Sequence, residues 1–194
     1  MEKRKITELV CILDQSGSMY GKEADTVESY NRMLGEQKEK EGEAFITTAL
    51  FSDQCRILGS HIPLAQAAEL TEREYFAEGN TALFDAIGQV FGEVSKKLQK
   101  EGEDAEERVL VFITTDGLEN ASTEYGPEKI RELIEEKQQR GWEILFFGTT
   151  CDILELARKS GVRKENTIRY EFSSLGLKSG YETAGRRFSR LREQ

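Results

Sequence analysis

Histidine and cysteine are almost missing from this chain, and both shortages narrow its chemistry. The 194 residues include one histidine, His61, and three cysteines. Cys11, Cys55 and Cys151 are widely spaced, odd in number and contain no CxxC pair. Neither a disulfide framework nor a zinc site is expected from them, which points to a reducing compartment. Cys11 falls inside an apolar run and is expected in the core as a small hydrophobe. A lone histidine leaves one general base for any Ser-His triad. It stands in Ser60-His61-Ile62-Pro63, where a surface loop or strand-end residue is expected. Long apolar runs are missing too: none approaches the roughly 20 residues of a membrane span. The charged start Met1-Glu2-Lys3-Arg4-Lys5 lacks the apolar stretch of a signal peptide. Asn120-Ala121-Ser122 therefore reads as a coincidental glycosylation match, and a cytoplasmic protein is expected.

Positive charge is also in deficit. Lys and Arg total 27 against 36 Asp and Glu, a formal net charge of -9, which argues against nucleic acid or an anionic membrane as a partner. The local exception, Arg186, Arg187, Arg190 and Arg192, is expected to form the solvated face of a terminal helix. No repeat or low-complexity stretch breaks the sequence, so 1–194 is expected to form one domain.

What is present is an alternation of elements. Three short apolar runs, 9–13, 109–113 and 144–147, read as parallel strands buried on both faces. Between them, Val27, Tyr30 and Leu34, then Leu83, Ile87, Val90, Val94 and Leu98, then Ile130, Leu133 and Ile134, recur at helical spacing. Pro127 after Gly126 suits a helix first turn. Residues 44–51 and 55–58 read as a hairpin turning at Ser52-Asp53-Gln54, a strand is expected at 167–170, and a last helix carries Leu177, Tyr181, Ala184, Phe188 and Leu191. The Glu/Lys-rich stretches 36–43 and 96–107 are expected to be solvated helix ends and loops. The pattern predicts an α/β, doubly wound sandwich: a mostly parallel central sheet with one antiparallel edge strand and helices on both faces. In such Rossmann-like folds, ligands bind at the C-terminal ends of the strands.

Oxygen-bearing side chains gather at that rim. Asp14-Gln15-Ser16-Gly17-Ser18 follows the first apolar run, Thr81 follows Gly79-Asn80 before the long middle helix, and Asp116-Gly117 follows Thr114-Thr115. Alone, Ser16 or Ser18 could be a helix cap and Asp14 a turn residue. Together the three segments resemble the metal-ion-dependent adhesion site of von Willebrand factor A domains. The segments Gly79-Asn80-Thr81-Ala82-Leu83-Phe84-Asp85-Ala86-Ile87 and Phe112-Ile113-Thr114-Thr115-Asp116-Gly117 extend the likeness beyond the metal residues. Asn80 departs from a common Gly, at a residue type that tolerates unusual backbone angles.

The resemblance implies a small, stand-alone, bacterial-type domain whose Ser16, Ser18 and Thr81 hydroxyls contact a cation. Asp14 and Asp116 would stand mostly one shell out, and Gly17 would keep the serine turn free of a side chain. Mg²⁺ suits such a site because it takes oxygen ligands and keeps several waters, and Mn²⁺ has overlapping preferences. Neutral hydroxyls leave the cation ready for one more anionic oxygen, so the expected partner is a protein supplying a Glu or Asp. Met19, Tyr20, Glu119 and Asn120 are candidate partner contacts, and Asp85 a candidate support for the Thr81 loop.

Two alternatives stay open: a regulatory subunit of a larger ATPase or stress-response complex, and a metal-dependent phosphohydrolase of the haloacid dehalogenase type. The second lacks a carboxylate two residues after Asp14, where Ser16 stands, and so lacks its acid/base. A serine hydrolase is weaker still, since Ser16 is not in a Gly-x-Ser-x-Gly elbow. The expectation is a binding protein and not an enzyme.

Overall fold

A computed structural model describes residues 4–102 and 105–194; the charged start Met1-Glu2-Lys3 and the pair Glu103-Asp104 lie outside the described residues. The three apolar runs form the middles of longer strands. They become β1 (Arg4–Asp14), β4 (Ala105–Thr115) and β5 (Glu143–Gly148). The hairpin is β2 (Ala44–Phe51) and β3 (Cys55–Pro63), turning where expected, with Ser52 N–H donating to the Gln54 carbonyl. The late strand, β6, spans Thr167–Arg169 and ends one residue early. The helices are α1 (Glu23–Lys38), α2 (Leu83–Leu98), α3 (Pro127–Gln139), α4 (Cys151–Lys159) and α5 (Ser174–Glu193).

The sheet order is β3-β2-β1-β4-β5-β6. All pairs are parallel except β2 with β3, which is the expected antiparallel edge. Alternation along the central strands builds two cores. Val10, Ile12, Val111 and Ile113 face α2, α3 and α4. Leu9, Cys11, Leu13, Leu110 and Phe112 face α1 and α5. Cys11 is fully buried there, as expected. Burial on both faces is why these strands read as unbroken apolar runs. From β1 the chain winds outward through β2, and from β4 it winds the other way through β5. The crevice between the C-terminal ends of β1 and β4 is therefore the switch point where such sheets bind ligands.

Three expectations need correction. Residues 105–107 do not lie in a solvated loop but begin β4, where they pair with β1. Arg192 is not simply solvated: its guanidinium donates to the carbonyls of Gln37, Lys40, Glu41 and Gly42, pinning the end of α5 to the end of α1. For His61 the surface loop is ruled out and the strand-end place holds, two residues before β3 ends. It lies inside β3 at a shift in the β2–β3 register, in the left-handed region at φ 55°. Its ring stacks on Phe45 with centroids 3.9 Å apart. Nδ1 lies 2.7 Å from Glu8 Oε2 and Nε2 lies 3.0 Å from Glu101 Oε1.

A neutral imidazole has one N–H and can serve only one of those carboxylates; the imidazolium serves both. Glu8 is almost fully buried on β1, and its other oxygen accepts from Thr47 Oγ1 at 2.6 Å. Among the described residues, further charges near the ring are Glu107 on β4, whose carboxyl burial pushes upward, Glu43, and Arg4, which pairs with Glu43 at 2.6 Å and lies 3.2 Å from Glu101. The hydrogen bond with Glu8 raises the His61 pKa above its ordinary value. The folded state thus holds this proton more tightly than the unfolded chain. The clamp contributes fully below the unfolded histidine value of about 6.5 and is lost as pH rises through the higher folded value. His61→Asn, which tolerates the left-handed backbone, should cost about 2 kcal/mol on the acidic side of that window. Urea unfolding across the window should show the wild type losing stability toward high pH and the variant not; equal slopes would refute a charged clamp.

Candidate metal centre

β1 and β4 deliver the two acidic residues side by side because they are adjacent in the sheet. Asp14 ends β1 and is buried, and neither of its oxygens is left to solvent. Oδ1 accepts from the Ser16 N–H at 2.7 Å, and Oδ2 accepts from Thr115 Oγ1 at 2.5 Å. The Asp14 carbonyl accepts from the buried Tyr75 hydroxyl at 2.5 Å. Asp116, one residue past β4, is half-buried, and its Oδ1 accepts from Ser18 Oγ at 2.5 Å. Ser16 Oγ and Ser18 Oγ are 3.0 Å apart.

Thr81 comes from the segment before α2. Gly17 N–H donates to the Gly79 carbonyl at 3.0 Å, and Glu78 N–H to the Gln15 carbonyl at 2.9 Å, so this segment is tied to the serine turn. Gly79 has φ +72°, and a Cβ there would fall 2.0 Å from Asp53 Oδ2. The backbone freedom expected at Asn80 is thus used one residue earlier. Asn80 instead donates its amide to Asp53 Oδ1 at 2.8 Å.

The three hydroxyls converge on one small space. A Cβ built on Gly117 would meet Thr81 Oγ1 at 2.8 Å, Ser18 Oγ at 3.4 Å and Ser16 Oγ at 3.7 Å. Only glycine leaves that cradle open. Burial pushes the Asp14 carboxyl up to about 6 and also raises that of Asp116. Neither forms an ion pair with Lys or Arg among the described residues. Neutral oxygens around a small space, backed by two carboxylates that no side-chain cation answers, suit a hard divalent ion. All five expected residues, Asp14, Ser16, Ser18, Thr81 and Asp116, are brought together. Gly17 sits in the serine turn as expected, its Cβ position 3.3 Å from the Gly79 carbonyl.

The expected partner contacts divide. Tyr20 is exposed, but Met19 is fully buried in the core under α1 and α5. Asn120 is locked onto Thr81: its Oδ1 accepts from the Thr81 N–H, and its N–H donates to the Thr81 carbonyl. Glu119 is spent inside the protein, accepting from the N–H groups of Phe84, Ala121 and Ser122. Asp85 supports a different loop from the expected one. It accepts from the N–H groups of Thr123, Glu124 and Tyr125 at 2.8–2.9 Å. The Asp85 N–H in turn donates to Ser122 Oγ at 3.0 Å. The start of α2 and the loop after β4 therefore satisfy each other's free amides, which holds Thr81 against Gly117. Thr115 and Tyr75 were not evident from sequence; the only signal was the position of Thr115 beside Asp116.

The architecture is that of a von Willebrand factor A-type α/β sandwich, and solved structures of that class superpose on nearly the whole chain. One is von Willebrand factor type A from Catenulispora acidiphila, 18% identical, TM-score 0.63, with 94% of this chain covering 42% of that one. Another is proximal thread matrix protein 1 from the mussel byssus with a zinc-occupied MIDAS motif, 12% identical, TM-score 0.66, with 94% covering 48%. A third is the vWF domain of the type V pili tip protein Mfa5 from Porphyromonas gingivalis, 10% identical, TM-score 0.69, with 100% covering 98%. The chain thus spans less than half of the first two. At these identities the likeness establishes the fold. No protein-family model matches the sequence, and no curated protein matches it either.

Two variants probe the geometry. Gly117→Ala should place a methyl among the three hydroxyls and abolish Mg²⁺ and Mn²⁺ binding by calorimetry, with little change in unfolding midpoint. Unaltered metal affinity would show that the cradle is not the site. Asp85→Ala should cost about 3 kcal/mol in urea unfolding by stranding three amides, and should speed hydrogen exchange at 123–125. Unchanged exchange there would show that the loop holds without Asp85.

Proposed function

We propose that this protein is a divalent-metal-dependent interaction module that captures an acidic side chain of a partner protein. The observation that carries the proposal is the convergence of the Ser16, Ser18 and Thr81 hydroxyls on the space that Gly117 leaves open. Those three residues would hold Mg²⁺ or Mn²⁺ directly, with Asp14 and Asp116 behind them. A cation so held keeps most of its charge and supplies affinity for one further carboxylate. The chain's own part is to fix the donors. Asp14 orients the Ser16 turn, Asp116 orients Ser18, and Asn120 fixes the backbone of Thr81.

Two further points support binding over catalysis. Ser16 occupies the position where a phosphohydrolase would need its second carboxylate, and no other carboxylate reaches it among the hydrogen bonds of the site. His61 cannot serve Ser16 as a base, because it pairs with Glu8, six residues before Asp14 along a strand rising about 3.3 Å per residue. The pilus-tip origin of the Mfa5 domain accords with an interaction role.

Ser16→Ala and Thr81→Ala should each remove calorimetric Mg²⁺ and Mn²⁺ binding while leaving the fold intact. The wild type should retain partner proteins from native lysate with Mg²⁺ and release them with EDTA, and the variants should retain none. Wild-type affinity for the metal in both variants would overturn the assignment. Steady phosphate release from a general phosphoester, lost in Asp14→Asn, would overturn the binding role in favour of hydrolysis.

A further inference from the structure

A second open space lies at the antiparallel edge of the sheet and shares no lining residue with the metal cradle. Its volume is about 270 Å³, far more than one water needs and near the lower end of small-molecule sites. Ile46 and Thr48 of β2 and Leu58 and Ile62 of β3 line one side. The strap that follows β3, residues 64–75, contributes Ala67, Leu70 and Glu74. Tyr30 of α1 completes the lining, and its hydroxyl shares a 2.7 Å hydrogen bond with Thr48 Oγ1.

The strap is held in place without filling the space. Lys38 Nζ donates to the Ala67 carbonyl at 2.6 Å. Asn31 clasps Leu70, its amide donating to the carbonyl at 2.8 Å and its Oδ1 accepting from the N–H at 2.7 Å. The Arg56 guanidinium donates to the Glu74 carbonyl, and the Tyr75 hydroxyl to the Asp14 carbonyl. Collapse of the strap onto the sheet would break these bonds, so the cavity is preformed.

Charge narrows the ligand. Most of the lining is apolar, yet two carboxylates, Glu69 and Glu74, belong to it and no Lys or Arg does. Neither carboxylate is in an ion pair among the described residues. The cations that touch the strap, Lys38 and Arg56, are given to backbone carbonyls. Glu69 is exposed and adds little. Glu74 is half-buried, and its Oε2 accepts from the Thr71 N–H at 3.0 Å and from Thr71 Oγ1 at 2.8 Å, which fixes the carboxylate. Burial is the main reason the Tyr30 hydroxyl is raised, and the Glu74 charge adds to that rise, so this carboxylate bears on the inside of the cavity. A fixed, half-buried carboxylate among apolar side chains suits an ammonium group on an apolar body. A ligand carboxylate would meet two like charges, in a protein of net charge -9 that repels anions at long range.

We propose that this cavity binds a small organic amine, its apolar body against Ile46, Leu58 and Ile62 and its ammonium on Glu74. The site is independent of the metal-dependent function, so its test is run in EDTA. NMR follows the amides of labelled protein with phenethylamine, phenethyl alcohol and hydrocinnamate, which share an apolar ring and differ in the charge of the head. Phenethylamine should move the amides of 46–48, 58–62 and 66–74 and bind about tenfold tighter than the alcohol, with hydrocinnamate the weakest. Glu74→Gln, which keeps an acceptor for Thr71, should lower the affinity for the amine to that for the alcohol and leave the alcohol's unchanged. Ala68→Phe, in the lining, should weaken both ligands alike. Alcohol or hydrocinnamate binding as tightly as the amine, or an amine preference that survives Glu74→Gln, would overturn the proposal. So would full amine affinity in Ala68→Phe, shifts confined to the metal rim, or no shifts at about 10 mM ligand.

Discussion

A carboxylate with no access to water organises the C-terminal rim of this sheet. Burying Asp14 is costly unless its oxygens are bonded, and the chain bonds both of them locally, through the Ser16 amide and the Thr115 hydroxyl. Those two bonds join the end of β1, the turn after it and the end of β4 in one polar knot. The knot sets where Ser16 and Ser18 can point. It also keeps both Asp14 oxygens buried and turned toward the strand ends.

The third hydroxyl is held by a separate device. A helix start leaves amides without partners, and so does an irregular loop. Here the start of α2 and the loop after β4 solve both problems together, with Glu119 and Ser122 serving the helix and Asp85 serving the loop. The pairing is specific in register, so it fixes Thr81 relative to Gly117. Residues that look like partner contacts by their place beside the site are therefore consumed in building it. Tyr20 and Leu118, beside the site, stay exposed.

The legibility of this fold in sequence follows from burial. β1, β4 and β5 are covered on both faces, so their middles read as apolar runs, while their polar ends, such as residues 105–107, carry no such signal. β3 alternates between half-buried and exposed positions, and its irregular pairing around His61 leaves no periodic trace. At the site, Asp14, Ser16, Ser18, Thr81 and Asp116 were legible because their spacing follows from the strand–turn–helix connections that present them. The roles of Asp85, Glu119, Asn120 and Tyr75 were not, because each depends on a partner far away in the chain. Glu8, His61 and Glu101 show the same limit: the ring bridges residues 53 and 40 positions distant.

The two ends of the sheet treat buried carboxylates in opposite ways, and the contrast bears on function. On the N-terminal side, Glu8 is answered from within the chain by a histidine that also reaches Glu101, and Arg4 stands beside them. That end is electrostatically closed. At the C-terminal end, Asp14 and Asp116 have hydroxyl and amide partners only, and burial raises both carboxyls. Hydrogen bonds from neutral groups moderate that cost without supplying the opposite charge. Among the described residues, a cationic side chain stands beside a buried acid at the N-terminal end of the sheet and none does at the switch point. A positive charge arriving from solution is the simplest way to balance the pair, and the ring of hydroxyls in front of them is where it would be held.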